Sequence, residues 1–205
     1  MNQSKNTKQQ ILEAALKEFA AHGYGGARME KIARRARINK AMLFYYYSSK
    51  PLLYQAAIKQ SFSKLLPFMA KILTPLLTPK RFLEMVPQFH FQFLRKNRDL
   101  VKILSFDMLH DHQNVGPIIK EILDAMPSPG FQLLQELVQK WYQKGLITEA
   151  DPMNFITNVI SLTIFSLIAG PVIKTAFRDT PISEDEFFQK RVNSITNLLK
   201  RGMLA

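Results

Sequence analysis

Residues 29–53 read MEKIARRARINKAMLFYYYSSKPLL, and their spacing decides the fold. Met29, Ile32, Ala33 and Ala36 recur at helical intervals and give one apolar face to a short helix over about 29–36. Three residues later, Asn39 stands where its side-chain oxygen can accept a free N–H of a new first turn, which starts a second short helix over about 40–46. Ser48-Ser49 caps a third helix beginning at Lys50-Pro51, where proline is tolerated because a first-turn N–H has no helical partner. Two short helices joined by a three-residue turn and braced by a third make a helix-turn-helix unit.

Working upstream, Thr7-x-x-Gln10 has the form of a capping box, and Ile11, Leu12, Ala15, Leu16 and Phe19 follow at helical spacing. His22-Gly23 should close that helix, with Gly23 in a left-handed conformation and Gly25-Gly26 continuing as loop. Downstream, helices are expected from Lys50 towards Phe62 and near 80–96, 98–110, 117–125, 131–144, 152–169 and 184–200. Pro75 and Pro79 bracket a connection, Pro87 should kink its helix, and Gly170-Pro171 should interrupt another. No β-alternation stands out. The fold class is all-α, with a three-helix helix-turn-helix domain over residues 1–48 and a larger helical domain over residues 49–205.

The chain has 205 residues, 47% of them hydrophobic and 21% charged, enough apolar content for a buried core. It has no cysteine, which excludes disulfides, a thiol nucleophile and thiolate metal sites. The formal charge is +12 and unevenly spread: residues 1–54 hold ten Lys/Arg against three Asp/Glu. Such a local excess is the footprint of a polyanion. A helix-turn-helix lays its second helix in the major groove with the leading residues at the base edges. Here those are Asn39, Lys40, Ala41 and Met42, with Tyr45 one turn on. Asn39 suits an adenine edge as well as the cap, Lys40 a guanine or a phosphate, and Met42 a thymine methyl or the core. Tyr45, Tyr46 and Tyr47 span too much helical arc for all to be buried, so at least one hydroxyl faces outward.

Ile11-Leu-Glu-Ala-Ala-Leu, Phe19, Gly23-Tyr24, Met29, Ile32-Ala33, Ile38-Asn39-Lys40, Leu43-Phe44-Tyr45-Tyr46-Tyr47, Ser49-Lys50 and Leu53, at these spacings, resemble the TetR family of bacterial transcription regulators over residues 8–55. The resemblance implies a dimeric repressor that binds a double-stranded DNA operator and releases it on binding a small effector. It adds Tyr45 and Tyr46 as phosphate donors, Lys50 as a phosphate grip at a helix start, and Arg28 in a like role. Three departures stand out: Phe44 where tyrosine is usual, Arg37 where glycine is frequent, and Met42 where the side chain is usually small or hydroxylated. Arg37 should therefore hold a strained left-handed backbone.

The family dimerises through its last two helices, which implies Phe155, Val159, Leu162 and Phe165 in one and Phe188, Ile195 and Leu199 in the other. Its middle helices take the effector, which points to Phe82, Met85, Phe89, Phe93, Phe106 and Met108 as an apolar or aromatic pocket. Plain core packing is the competing reading for both sets. No cofactor and no catalytic residue is expected. A divalent-metal site at Asp107, His110 and Asp111 is the enzymatic alternative, and control by a partner protein without a small ligand is another. Residues 152–173 carry no charge, but Asn154, Thr157, Asn158, Ser161, Thr163 and Ser166 make a membrane span a poor reading and a helix buried in protein the better one. A membrane-surface binder is disfavoured too, because the basic residues do not follow one helix face. The polar Met1–Lys5 has no secretory run, so a cytoplasmic protein is expected.

Overall fold

Nothing between Asn2 and Asn6 breaks a helix, and in the computed structural model the first helix already runs there: α1 spans Asn2–Gly26. The structure describes residues 2–63, 65–109, 114–125, 130–177 and 182–205. The expected start at Thr7–Gln10 is corrected, because a capping sequence starts a helix only where the preceding backbone turns away. The far end is set by Gly23, whose φ of 64° and ψ of 177° are open essentially to glycine alone. A Cβ there would meet the Phe106 ring at an ordinary 3.6 Å, so backbone angle and not space demands the glycine. Gly25 and Gly26 form no open loop; they continue as a helical turn in which the Ala27 N–H donates to the Gly23 carbonyl at 3.2 Å.

The decisive stretch forms as its spacing predicts: α2 spans Met29–Arg35, α3 Lys40–Tyr46 and α4 Lys50–Phe62. Asn39 accepts from the Met42 N–H at 2.7 Å and Ser49 from the Leu52 N–H at 3.4 Å. The turn between α2 and α3 closes with Arg37 N–H on the Arg34 carbonyl and Ile38 N–H on the Ala33 carbonyl, at 3.1 and 3.0 Å. This is a Schellman closure, and Arg37 holds its left-handed position at φ 57°. The same closure ends a later helix, through Gly145 N–H to Tyr142 and Leu146 N–H to Trp141, but there glycine takes the φ of 64°. Arg37→Gly is therefore expected to stabilise the protein by about 1 kcal/mol, since a side chain in this region costs about 1–2 kcal/mol and glycine returns part of that as unfolded-chain entropy. Thermal unfolding of the two proteins checks it: a lowered midpoint would mean the Arg37 side chain contributes more than its backbone costs.

The remaining helices are α5 (Leu66–Ile72), α6 (Pro79–Lys96), α7 (Arg98–Leu109), α8 (Val115–Asp124), α9 (Gly130–Gln143), α10 (Pro152–Ala176) and α11 (Glu184–Met203). Among the described residues no strand forms beyond one isolated bridge, Ile147 to Leu204. α6 continues through Pro87. α10 likewise runs through Gly170-Pro171, which corrects the expected interruption. Gly170 serves close packing instead: a Cβ there would stand 3.1 Å from the Phe187 ring.

Packing divides the chain into one unit of Met1–Pro67 with Asn97–Ala125 and another of Phe68–Lys96 with Met126–Ala205. That division does not fall at 48/49. Ile11, Ala15 and Phe19 of α1 need Leu53, Tyr54, Ala57 and Ile58 of α4 and the buried face of α7 (Leu100, Ile103, Leu104) to complete a core. In the second unit Phe82, Trp141 and Phe155 pack with ring centroids 5.6–6.1 Å apart, joined by Leu134, Leu137, Val138, Ile195 and Leu199. Phe91, Phe187, Phe188 and Val192 form a second cluster there.

Candidate nucleic-acid interface

α3 has one buried side chain, Leu43, with Tyr46 half-buried beside it, which leaves the face carrying Lys40, Ala41 and Tyr45 open for contact. Lys40, Ala41, Met42 and Tyr45 are all exposed, Tyr45 at 85%, while Tyr46 and Tyr47 are half-buried. The Tyr45 and Tyr46 rings meet edge to face at 5.4 Å. Asn39 gives its oxygen to the cap, so its NH2 is the group left for a partner, and bidentate reading of adenine would share that oxygen with Met42 N–H.

Two lysines are less free than their sequence positions suggest. The Lys40 ammonium pairs with Glu30 of α2 and lies 5.9 Å over the Phe44 ring. The hydrogen bond from Lys40 holds the Glu30 carboxyl below its usual pKa. Lys50 donates to the Gly25 carbonyl at 3.2 Å and stands 4.9 Å over the Tyr24 ring. Burial and the nearby Arg28 charge push its pKa down. Arg28, extended at φ −116° and exposed, precedes α2. Lys31, Arg34, Arg35 and Arg37 add exposed positive charge on and after α2.

Sequence reasoning missed two acids here. Glu30 screens Lys40. Glu18, only 1% exposed, stands 3.9 Å from Arg35 and 3.7 Å from His22, and so ties α2 back to α1 through charge. Its signal was present, because position 18 lies beside the apolar face of Leu12, Ala15 and Phe19. Glu30→Gln is expected to raise DNA affinity about three- to tenfold and steepen its salt dependence by about one counterion, since Lys40 is released from an exposed pair and a like charge is removed near phosphate. Fluorescence anisotropy on one duplex over a range of salt concentrations reads both; an unchanged slope would place Lys40 off the DNA.

The six residues expected in an effector pocket separate between the units. Phe82, Met85, Phe89 and Phe93 lie on α6 in the second, Phe106 and Met108 on α7 in the first. Phe82 belongs to the main core with Trp141 and Phe155, Met85 packs against that core, and Phe89 stacks between Phe68 and Phe93. Met108 is exposed. Beside them His90 Nδ1 is 2.5 Å from the Thr163 hydroxyl of α10, and burial pushes the His90 pKa down to about 4.

Of the seven expected seam residues, Phe155, Val159, Phe188, Ile195 and Leu199 are buried in the chain's own clusters and cannot present a surface. They face inward because α10 packs on α6, α9 and α11 within the unit. Leu162 is half-buried and Phe165 is 65% exposed. The outward side of α10 shows Phe165, Met153, Ile160, Ile168 and Val172, and α11 shows Leu198. α10 is long and apolar enough to cross a membrane, and only 22% of its most apolar stretch is buried, so its own chain encloses one face of it only.

His110, Asp111 and His112 lie outside the described residues. Asp107 accepts from the Val115 N–H at 3.1 Å and the Asn114 amide at 3.3 Å, as a cap for α8. Among the described residues no three His, Asp or Glu gather as metal ligands.

The family described as "Bacterial regulatory proteins, tetR family" matches residues 11–57, which run from the middle of α1 into α4. The HTH-type transcriptional repressor NicS of Pseudomonas putida is 26% identical over 72% of this chain and 68% of its own length. The HTH-type transcriptional regulator RutR of Escherichia coli K12 is 24% identical over 96% of this chain and 90% of its own. A crystal structure of AibR in complex with isovaleryl coenzyme A and operator DNA covers 92% of this chain and 97% of its own at 20% identity, with a TM-score of 0.64, which shows the same fold.

Proposed function

We propose that the chain, whose residues 11–57 match the tetR family of bacterial regulatory proteins, is a homodimeric, sequence-specific DNA-binding regulator of that family, a repressor that leaves its operator when a small, largely apolar effector binds. The observation that carries this reading is α3, which buries Leu43 and turns Lys40, Ala41, Met42 and Tyr45 outward beside a cluster of exposed arginines. On this reading Ala41, Met42 and Asn39 meet base edges, and Arg28, Lys40, Tyr45, Tyr46 and Lys50 meet phosphates. These contacts all fall within or next to residues 1–48. The rest of the first unit is their support.

One short helix reads one half-site, so two copies are needed, with reading helices about 34 Å apart on the DNA. The unburied apolar side of α10, continued by Leu198, supports a seam between subunits: a patch of this kind on a soluble chain marks an interface. The effector reading rests on the Phe-rich α6 and on the relatives' description as regulators and repressors. The isovaleryl coenzyme A held by AibR supports an apolar acyl or aromatic chemistry. Regulation needs no catalysis, and the protein is read as a cytoplasmic non-enzyme.

Selection of bound sequences from a random duplex pool at near-physiological salt tests the proposal. Enrichment of a pseudo-palindrome with half-sites about one turn apart is expected. Failure to retain any DNA even at low salt would overturn it.

A further inference from the structure

In the first unit, where the last turn of α1 meets α4 and α7, lies a cavity of about 380 Å³. That volume falls among small-molecule sites, which run from roughly 300 to 1,000 Å³. Four aromatic rings contribute to its wall: Phe19, Tyr24, Tyr54 and Phe106. Tyr54 packs at steep ring angles against Phe19, 4.8 Å between centroids, and Tyr24, 5.0 Å. The same cavity is lined by Asp107, a buried carboxylate whose described hydrogen-bond donors, Val115 N–H and the Asn114 amide, are neutral.

Ring faces attract cations through their quadrupole, and a carboxylate in a partly desolvated wall attracts them through its full charge. An anionic ligand would meet Asp107 at a cost, and a neutral apolar one would leave Asp107 with only its two neutral donors, since the other polar side chain of the wall besides Asn114 and the tyrosines is His22. One cation already uses this surface: the Lys50 ammonium over Tyr24, hydrogen-bonded to the Gly25 carbonyl that also borders the cavity. We propose that this cavity is a ligand site in the DNA-binding unit, separate from any pocket on α6, and that it takes a small organic cation such as an aryl ammonium ion. Occupancy competes with Lys50 for the Tyr24 ring and repels it. Ligand and DNA are therefore coupled reciprocally, a consequence that rests on the DNA-binding reading while the site itself does not.

The test titrates benzyltrimethylammonium into the full chain at constant ionic strength and follows the Gly23, Gly25 and Gly26 amide resonances, with benzyl alcohol and phenylacetate as neutral and anionic controls. Saturable shifts with the cation alone are expected, with a Kd of about 1 mM or tighter. Asp107→Asn, which keeps the α8 cap acceptor, should weaken binding at least about tenfold. Should that variant fold poorly, Phe106→Leu removes a ring while keeping an apolar wall, and should weaken the cation several-fold. Equal shifts with benzyl alcohol, undiminished binding in both variants, or no shift at about 20 mM would each overturn the site. Because binding is read without DNA, it fails or stands separately from the regulatory function. A cation that binds but leaves duplex affinity unchanged would overturn the coupling alone.

Discussion

An Ile168→Glu protein is expected to remain folded, elute as a monomer, and lose at least about a hundredfold in affinity for a duplex carrying two half-sites. Ile168 is 48% exposed on α10, opposite the stripe of Phe155, Val159, Thr163, Ser166 and Gly170 that packs inward. A glutamate there stays solvated in the single chain, so the fold has no reason to fail. In a two-fold seam the same carboxylate is taken out of water beside Phe165 and Val172, and its symmetry mate brings a second like charge. Without the seam each reading helix binds its half-site alone, and the gain from tethering two weak contacts disappears. Light scattering on the eluting peak gives the mass, and anisotropy gives the affinity. A persistent dimer with undiminished binding would take α10 out of the seam.

Acid is expected to destabilise the protein by about 3 kcal/mol through His90 alone. Its pKa is held down to about 4 in the folded chain by burial, against an ordinary value near 6.5. Between those values the unfolded chain binds a proton that the folded chain refuses, so stability is complete above about pH 6.5 and declines as pH falls towards 4. The ring sits against a fully buried Thr163, whose hydroxyl donates to the Ile160 carbonyl at 2.8 Å and lies 2.5 Å from His90 Nδ1. His90→Gln keeps an amide that can reach Thr163 and removes the titration. Urea unfolding at fixed protein concentration, at pH 7.5 and 4.5, should show the variant losing about 2.5 kcal/mol less than the parent on acidification. Equal losses would assign the acid sensitivity elsewhere.

The parts of this structure that were legible in sequence are those decided within four or five residues. Asn39 and Ser49 cap because a polar side chain can reach only the N–H groups just ahead of it. Arg37 is left-handed because the Schellman closure admits no other backbone at that step. What the sequence hid depends on partners far along the chain. α10 is apolar on every side, so periodicity could not separate Phe155, which fills the core, from Phe165, which faces outward. Gly170-Pro171 reads as a break until Phe187, 17 positions later, is seen against the glycine. Lys40 reads as a free cation until Glu30, on another helix, is found beside it. Which side chains α3 exposes was thus largely legible, and the acids paired beside them were not.

The first packing unit is assembled from two separated stretches, residues 1–67 and 97–125. On the ribosome, the amino-terminal helices therefore emerge without the α7 side chains that bury Ile11 and Phe19. They must wait, partly collapsed and with apolar surface bare, until synthesis passes residue 125 and that stretch clears the exit tunnel. A truncated chain ending shortly after α4 would be a substrate for chaperones and proteases, not a miniature DNA binder.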